Sequence, residues 1–369
     1  MVINIGRDPM NNLKYLGDED PLMFLAGCFA YCDHLDGKKV SLPLALDATC
    51  SGIQVYSGLL LDKTGAESVN VVGNKRNDIY EQVAVEANKL LKNKKHPKEY
   101  KRKTEVRKGE IREEVKNTFQ ISNFFEGKIN RKLVKRNVMT TPYSVSKRGM
   151  YQQIREVLED QKAKGNNMFY EGEEGLTLQL LTDVNEKAIK NVVKGAKVGQ
   201  DFLVKVTGEL IKKRKKEKNE DQPIIWTNQL GFPIVQWYQS DTSIKIRTGL
   251  TQLKIKQKTD KINTVKQKSG IAPNFVHSLD ASLLYMTVEK LQDMGIKEYM
   301  LIHDSFSVLP NNVSRLNYAF REAYVELFED KPLLKFIKEV YQEYLEEAEK
   351  IYINDLDLEE VMDSGYIIS

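Results

Sequence analysis

Two aspartates stand directly after short apolar segments that have the composition of strands. Asp47 follows residues 42–46, and Asp304 follows residues 300–303. An aspartate at the end of a strand most often forms a turn or caps a helix, and that interpretation stays open for each one alone. If the fold brings the two carboxylates together, protonation or cations must relieve their repulsion. Two metal ions about 4 Å apart can hold the attacking and leaving oxygens of an in-line phosphoryl displacement, so the pair permits phosphoryl transfer.

A second set of residues recurs at intervals of four: Arg131, Lys135, Met139 and Tyr143. This spacing predicts that they share one face of a helix. Two cations one turn apart suit a triphosphate, and an aromatic ring beyond them suits stacking on a base or a sugar. Pro142 predicts that the helix kinks or ends before Tyr143. An ordinary basic helix surface remains the alternative.

A third pattern lies between residues 243 and 258, where isoleucines and leucines alternate with cations. This alternation predicts a β-hairpin with one apolar and one cationic face. Its cations are Lys245, Arg247, Lys254 and Lys256, and we expect them to contact nucleic-acid phosphates or a groove. Charge is distributed unevenly as well: residues 63–150 carry 22 basic and 10 acidic side chains, which suits a surface that binds a polyanion.

The elements that must position these residues are mostly helical. Apolar spacing predicts a buried helix over residues 22–31, helices over 78–92, about 130–141 and 184–216, and further helices in the last 50 residues. A short apolar strand is predicted at 42–46 and a buried strand at 300–302, whereas residues 93–116 are expected to form an exposed charged excursion. Short strands among many helices predict an α+β fold.

Composition excludes several other classes of protein. The chain has 369 residues, and its apolar fraction of 41% is ample for a folded core. The longest early apolar stretch, residues 22–32, is too short for a membrane span, and the N-terminal sequence is typical of neither a signal nor a transit peptide. Three cysteines, Cys28, Cys32 and Cys50, make no disulfide framework. A zinc site at Cys28, Cys32 and His34 is disfavoured because no fourth ligand lies nearby.

Four motifs together resemble the single-subunit, phage-type RNA polymerases, a family that includes mitochondrial enzymes. The first motif begins at Asp47 (DATCSGIQ), and the second is the helix from Arg131 to Tyr143. The third spans residues 269–278 (SGIAPNFVHS), and the fourth spans residues 301–306 (LIHDSF). Their order extends over most of the chain. Further similar segments lie at residues 24–31, 231–233 and 355–358.

The resemblance implies a role for each site residue. Asp47 and Asp304 would hold two Mg²⁺ ions, with the backbone carbonyl of Ala48 as a further ligand. Arg131 and Lys135 would bind the incoming triphosphate, and Lys135 would also protonate the leaving pyrophosphate. The remaining nucleotide-binding residues are implied to be Met139, Tyr143, beneath the nucleotide and close to its ribose, and His277, near the nascent base pair.

Two positions favour RNA over DNA synthesis. The related family A DNA polymerases carry a glutamate five residues after the first aspartate, where its bulk excludes a 2′-hydroxyl. This chain has Gly52 there. Directly after His303-Asp304 it has Ser305, where those enzymes have a glutamate.

Ser144 departs from the glycine that the family commonly has after the tyrosine. Ala48-Thr49 and Val55 also differ from the usual family residues.

The resemblance implies a right-hand polymerase architecture: palm and fingers, with a small antiparallel palm sheet. We expect palm at residues 1–62, fingers including the basic hairpin at 63–276, and palm with the C-terminal tail at 277–369. The match corresponds to the family's C-terminal catalytic portion. A fragment, a truncated gene product and one half of a split enzyme remain open, and we expect no promoter-dependent transcription by the chain alone.

The implied activity is Mg²⁺-dependent RNA synthesis on a DNA template. Its partners would be the template, the nascent RNA and ribonucleoside triphosphates, together with an N-terminal polymerase fragment or transcription factors, and no membrane. Alternatives are a non-catalytic nucleic-acid-binding remnant and a family A DNA polymerase fragment. A mitochondrial, plasmid-type origin is favoured by the many Lys, Ile and Asn residues, with phage or chloroplast as alternatives.

Overall fold

The computed structural model describes residues 1–17, 20–107, 110–219, 221–247, 249 and 251–369, without the side chains of 102–107 and 110–114. The described chain divides into two compact units. Unit 1 comprises residues 1–48, 284–323 and 368–369, and unit 2 comprises residues 49–283 and 324–367. Helices dominate both units, and the sheets are small and antiparallel. This composition confirms the predicted α+β class, whereas the predicted palm and fingers boundaries stay a prediction.

Most helices belong to unit 2. Those that precede the basic hairpin are α4 (Ser51–Leu60), α5 (Lys63–Ser68), α6 (Ile79–Lys92), α7 (Phe119–Phe125), α8 (Arg131–Thr140), α9 (Lys147–Ala163), α10 (Glu174–Val192) and α11 (Lys194–Lys216). Its hairpins pair β2 (Glu99–Arg107) with β3 (Glu110–Asn117), β4 (Ile224–Thr227) with β5 (Pro233–Gln236), and β6 (Gln239–Arg247) with β7 (Gln252–Ile262). The later helices are α12 (Thr264–Asp293), α13 (Val313–Glu329), α14 (Pro332–Tyr341) and α15 (Leu345–Lys350), of which α12 and α13 also supply residues to unit 1.

Unit 1 contains a three-stranded antiparallel sheet. Its elements are α1 (Val2–Arg7), α2 (Pro9–Asn12), α3 (Pro21–Leu35), β1 (Leu44–Asp47), β8 (Tyr299–Ile302) and β9 (Ser305–Val308). The strand order is β1-β9-β8, so β9 lies in the centre. In the register, Ser305 of β9 is opposite Asp47 of β1 and opposite Ile302 of β8. The sheet therefore brings the two predicted aspartate segments to one edge.

Helix α8 is held within a packed helical layer of unit 2. It packs against α6 and α9, and α10 packs against both of those helices. Side-chain caps define where these helices begin. At the start of α6, the Asp78 side chain accepts hydrogen bonds from the backbone amides of Tyr80 and Glu81. At the start of α8, the Asn130 side chain accepts a hydrogen bond from the backbone amide of Leu133. Such caps satisfy amide groups that have no partner in the first turn of a helix. The start of α8 is thus specified locally by the sequence.

Several sequence predictions about burial were wrong. Helix α3 forms, but it is largely exposed, with Leu22 at 78% and Met23 at 61%, because α1 covers only the side that bears Cys28 and Cys32. The strand β8 forms as predicted, although Met300 and Ile302 are exposed rather than buried.

The segment expected as an exposed excursion, residues 93–116, contains the β2–β3 hairpin, whose strands were not predicted. The single helix expected at 184–216 is two helices, because the chain turns at Val193 where its φ and ψ are −112° and 62°. At that turn a Cβ on Gly195 would lie 2.1 Å from the Asp62 carboxylate, so only glycine permits this approach. Within the described residues, helices of the length and apolarity that a bilayer crossing needs are not found.

Candidate functional site

The two predicted metal-binding aspartates are joined through the backbone of unit 1. Asp304 is the second residue of the two-residue turn between β8 and β9, after His303, whose φ is +55°. The amide of Ala48 donates a hydrogen bond to the carbonyl oxygen of Asp304 at 3.1 Å. Since Asp47 precedes Ala48, the two aspartates stand on adjoining backbone, and both are exposed to solvent. The structure thus brings together the pair that the sequence suggested.

The last residues of the chain complete this edge of the sheet. The Asp47 amide donates to the carbonyl oxygen of Ser369 at 3.4 Å, and the Ser369 amide donates to the carbonyl oxygen of Asp47 at 3.0 Å. Ile368 bridges Ala48 in antiparallel fashion and is 1% exposed. Asp47 is consequently fixed on both sides, by β9 and by the C-terminal residues. Sequence reasoning missed this role of Ser369, and the only signal was the apolar tail at 366–368.

The donor set around these aspartates suits a hard divalent cation. Asp47 and Asp304 would supply carboxylate oxygens, and Ala48, which follows Asp47 in the sequence, would supply a backbone carbonyl. Among the described residues no cluster of three or more His, Cys, Asp and Glu side chains could hold a metal ion. A site with two carboxylates leaves coordination positions for water and for phosphate oxygens, which is how Mg²⁺ is usually bound at phosphoryl-transfer sites. The residues present therefore fit Mg²⁺.

Helix α8 presents a cationic face to solvent. Arg131, Lys135 and Met139 are exposed, whereas the opposite face buries Leu133, Val134, Asn137 and Val138. The predicted sharing of one helix face is confirmed for Arg131, Lys135 and Met139, but not for Tyr143. The helix ends at Thr140, as the position of Pro142 predicted, so Tyr143 lies in the turn that follows.

The two cations of this face differ in their surroundings. The Arg131 Nε donates to the Asp78 carboxylate at 2.6 Å, and its guanidinium lies 4.9 Å from the centre of the Tyr80 ring. Burial alone would raise the pKa of Asp78, but Arg131 and the amides of Glu81 and Tyr80 outweigh it and lower that pKa. Lys135 has no ion pair with any residue that the structure describes. Arg131 is therefore fixed in place, while Lys135 is available to an anionic ligand.

Tyr143 is held on three sides within unit 2. Its ring stacks on the imidazole of His277, with centroids 4.5 Å apart and planes inclined by 15°. Its hydroxyl lies 3.3 Å from the Ser51 hydroxyl and donates to the Asp280 carboxylate at 3.3 Å. The next residue, Ser144, has φ +61°, the region where the family's usual glycine is favoured. Ser51 and Asp280 were not predicted as site residues.

Gly52 lies against the same tyrosine. A Cβ at this position would be 2.7 Å from the Pro142 Cβ and 3.0 Å from both Cζ and Oη of Tyr143. The sequence predicted open space beside Gly52, but Pro142 and Tyr143 fill it in this conformation. The absence of a side chain at residue 52 is therefore what permits Tyr143 to stand where it does.

The basic hairpin has the two faces that the sequence predicted. In the register of β6 and β7, Ile244 is opposite Ile255, and Lys245 is opposite Lys254. Alternation along each strand places the four cations on one face and the apolar residues on the other. The cations are Lys245, Arg247, Lys254 and Lys256. All these side chains are exposed. Like charges directly opposite one another destabilise a hairpin, so an anionic ligand on this face would relieve the repulsion.

The predicted site residues are therefore distributed between the two units. Asp47, Ala48 and Asp304 come together in unit 1, and the residues of α8, Tyr143, His277 and the basic hairpin belong to unit 2. The cysteines considered for zinc are packed instead: Cys28 and Cys32 are buried in unit 1, and burial raises the pKa of the Cys28 thiol. The Cys32 thiol lies 3.7 Å from the carbonyl oxygen of Ile3.

Comparison with known proteins gives a consistent result along the whole chain. Residues 1–368 match the family model described as DNA-dependent RNA polymerase. The DNA-directed RNA polymerase of Enterobacteria phage T3 is 30% identical over 94% of this chain and 42% of its own length. The mitochondrial DNA-directed RNA polymerase 1 of Arabidopsis thaliana is 29% identical over 96% of this chain and 34% of its own length.

A chloroplastic relative extends this pattern. The DNA-directed RNA polymerase 3 of Nicotiana sylvestris is 28% identical over all of this chain and 36% of its own length. The chain thus spans less than half the length of these curated relatives. Phage, mitochondrial and chloroplast proteins all occur among them, so similarity alone selects none of the three locations.

Proposed function

Because the chain belongs to the DNA-dependent RNA polymerase family, we propose that it carries the catalytic residues for DNA-templated RNA synthesis. In this reaction the 3′-hydroxyl of the RNA attacks the α-phosphorus of a ribonucleoside triphosphate, a new phosphodiester bond forms, and pyrophosphate leaves. The observation that carries the proposal is the hydrogen bond between Ala48 and Asp304, which keeps the two aspartates on adjoining backbone.

The cofactor that we propose is a pair of Mg²⁺ ions held by Asp47 and Asp304, with the Ala48 carbonyl as a further ligand. Bound there, the ions would stabilise the charge that develops on the attacking and leaving oxygens. Asp47 and Asp304 are both exposed, so substrate oxygens could reach ions bound by these carboxylates. The backbone bonds from Ala48 and Ser369 would keep the ligands in place while the substrate changes.

The nucleotide would be bound by the exposed face of α8. Arg131, oriented by Asp78, and Lys135 would bind the triphosphate, because two cations one turn apart match adjacent phosphates. Lys135 would also donate the proton that the leaving pyrophosphate takes up. Met139 would contact the nucleotide beyond them. Tyr143 and His277, stacked on each other, would contact its ribose and base.

Selection of ribonucleotides is the finer part of the proposal. Gly52 places no side chain against Tyr143, the residue that we propose to contact the ribose. This supports RNA synthesis over the family A DNA polymerase alternative, which the family match does not favour either. The cationic face of the β6–β7 hairpin would contact the phosphates of the DNA template or of the RNA.

For location, the coarse statement is that the relatives occur in phages, mitochondria and chloroplasts. We favour the mitochondrion, since the abundance of Lys, Ile and Asn suits an AT-rich genome. An N-terminal polymerase fragment or transcription factors remain proposed partners. Detection of the chain in purified mitochondria, rather than in chloroplasts or virions, would support this location.

The proposed function is tested by extension of an RNA primer annealed to a DNA template. We expect the purified chain to add ribonucleotides in the presence of Mg²⁺ and to add deoxyribonucleotides much more slowly. Faster use of dNTPs would favour a DNA polymerase. Binding of the primer–template without any extension would favour the non-catalytic remnant and would contradict the proposal.

A further inference from the structure

Asp280 is a polar residue of the tyrosine site that neither the sequence motifs nor the proposed roles include. It lies on α12, three residues after His277, so the two side chains are on the same face of that helix. Its carboxylate accepts a hydrogen bond from the Tyr143 hydroxyl at 3.3 Å. One helix face therefore contacts both the ring and the hydroxyl of Tyr143.

The chemistry of this contact fixes the direction of the tyrosine proton. A phenol has a single O–H to donate, whereas an ionised carboxylate can only accept. When the Tyr143 proton points to Asp280, the remaining lone pairs of Oη can only accept hydrogen bonds. Ser51, whose Oγ is 3.3 Å away, then acts as a donor to Tyr143 in the absence of substrate.

This polarity matters for the sugar of an incoming nucleotide. A ribose 2′-hydroxyl can donate to an acceptor, and a deoxyribose has nothing to donate at that carbon. An acceptor with a fixed orientation would therefore stabilise a bound ribonucleotide, and it would be left unpaired by a deoxyribonucleotide. A site built to bind a hydroxyl discriminates strongly against the analogue that lacks it.

We propose that Asp280 is a positioning residue for sugar selection: it takes the Tyr143 proton and thereby presents the Tyr143 oxygen as an acceptor to the ribose 2′-hydroxyl. The inference rests on the proposed function for its substrate, but the geometry on which it depends lies wholly within unit 2. The stacking on His277 holds the ring, and Asp280 sets the direction of the hydroxyl.

The first test needs no polymerase activity. Tyrosine labelled with ¹³C at Cζ is incorporated, and the Tyr143 resonance is assigned by its loss in Tyr143→Phe. We expect Asp280→Ala to move this resonance, and Asp280→Asn, which keeps an acceptor oxygen, to move it less. Asp293→Ala, which removes an exposed carboxylate from the same helix, is the control and should leave it unchanged. An unmoved resonance in Asp280→Ala would overturn the proposal even if the chain does not polymerise.

The second test measures kcat/KM for a ribonucleotide and for the matching deoxyribonucleotide. We expect Asp280→Ala to lower the ratio of the two about 5- to 10-fold, and Asp280→Asn to retain most of it. In a Tyr143→Phe background, Asp280→Ala should change the ratio no further, because the two residues act through one hydroxyl. Additive losses, or an unchanged ratio in Asp280→Ala, would overturn the proposal. Failure of the parent chain to extend any primer would count against the proposed function and not against the resonance result.

Discussion

The amide of Ala48 donates a hydrogen bond to the carbonyl oxygen of Asp304 at 3.1 Å. Through this bond, the turn that bears one aspartate is fixed to the residue that follows the other. The two residues are 256 positions apart in the sequence, and the central strand β9 separates the strands that lead to them. The proposed metal site therefore depends on the pairing of β1 with β9 and on the tight β8–β9 turn.

The C-terminal residues should support the position of Asp47. Deletion of Ile368 and Ser369 removes a buried side chain and both backbone hydrogen bonds that these residues make with Asp47. We expect the extension rate to fall at least about tenfold, since small displacements of catalytic groups reduce rates strongly. Ser369→Ala keeps the backbone bonds and should retain the rate of the parent. Equal rates for the deletion variant and the parent would show that the C-terminal residues do not position Asp47.

Gly52 should tolerate no side chain, although it lies in a helix. Gly52→Ala places a Cβ within 3.0 Å of the Tyr143 ring, so we expect slower ribonucleotide addition and no gain in stability. Gly27→Ala is the matched control: it also lies within a helix, but among the described residues a Cβ added at Gly27 would meet no atom within 4 Å. That substitution should raise the free energy of unfolding by about 0.5–1 kcal/mol and leave extension unchanged. A Gly52→Ala protein that is both stabilised and fully active would contradict this description of the tyrosine site.

Asp78 should stabilise the fold in a pH-dependent way. Its pKa in the folded protein is below the ordinary value of 3.8, so its contribution is present above that value and is lost as the pH falls through the folded pKa. Asp78→Ala removes the cap of α6, and we expect a loss of about 1 kcal/mol at pH 7. We would measure urea unfolding from pH 7 to pH 3. The difference in the free energy of unfolding between variant and parent should become smaller as the pH falls.

Asp160 provides the comparison for Asp78. Its side chain is 44% exposed and pairs with Lys132 and Lys164, so Asp160→Ala should change stability much less at pH 7. An Asp78→Ala difference that stays constant from pH 7 to pH 3 would show that the ionised carboxylate is not the stabilising group.

The basic hairpin should bind nucleic acid through charge. Lys245→Gln combined with Lys254→Gln removes two cations that face each other across the strands. We expect weaker binding of duplex DNA, and a plot of log K against log salt concentration that is less steep by about 0.9 for each phosphate that the variant no longer neutralises. The hairpin itself should not be destabilised, because the substitution relieves repulsion.

Lys190 is the control for this measurement. It forms an ion pair with Glu186 at 2.6 Å on α10, so Lys190→Gln should leave the salt dependence unchanged. The same slope for the hairpin variant and the parent would exclude the hairpin as a phosphate-binding surface.

Much of the site could be predicted from local sequence. The periodicity of α8 and the alternation of β6 and β7 are properties of short segments, and both patterns correctly gave the faces on which the cations lie. Pro142 marked the end of α8 because proline has no amide hydrogen to continue a helix. Each of these features depends only on residues close together in the sequence, so a local pattern is enough to predict it.

Other features depended on contacts between distant residues and could not be predicted. Ser369 gave no sign that it pairs with Asp47, and Asp280 lies 137 residues from the tyrosine that it contacts. The apolar character of α3 suggested burial, but α1 covers only one side of that helix. Burial and hydrogen-bond partners are set by tertiary packing, which a local pattern does not encode.

Single-nucleotide extension of an RNA primer on a DNA template tests most directly whether Asp47 and Asp304 together hold the proposed catalytic Mg²⁺. Rates are compared for the parent, Asp47→Asn, Asp304→Asn and the exposed control Asp293→Asn over a range of Mg²⁺ concentrations. We predict that each site variant loses at least about 100-fold in rate, since each removes a charged metal ligand, while the control matches the parent. Extension by Asp47→Asn or Asp304→Asn at the rate of the parent would contradict the proposed metal site.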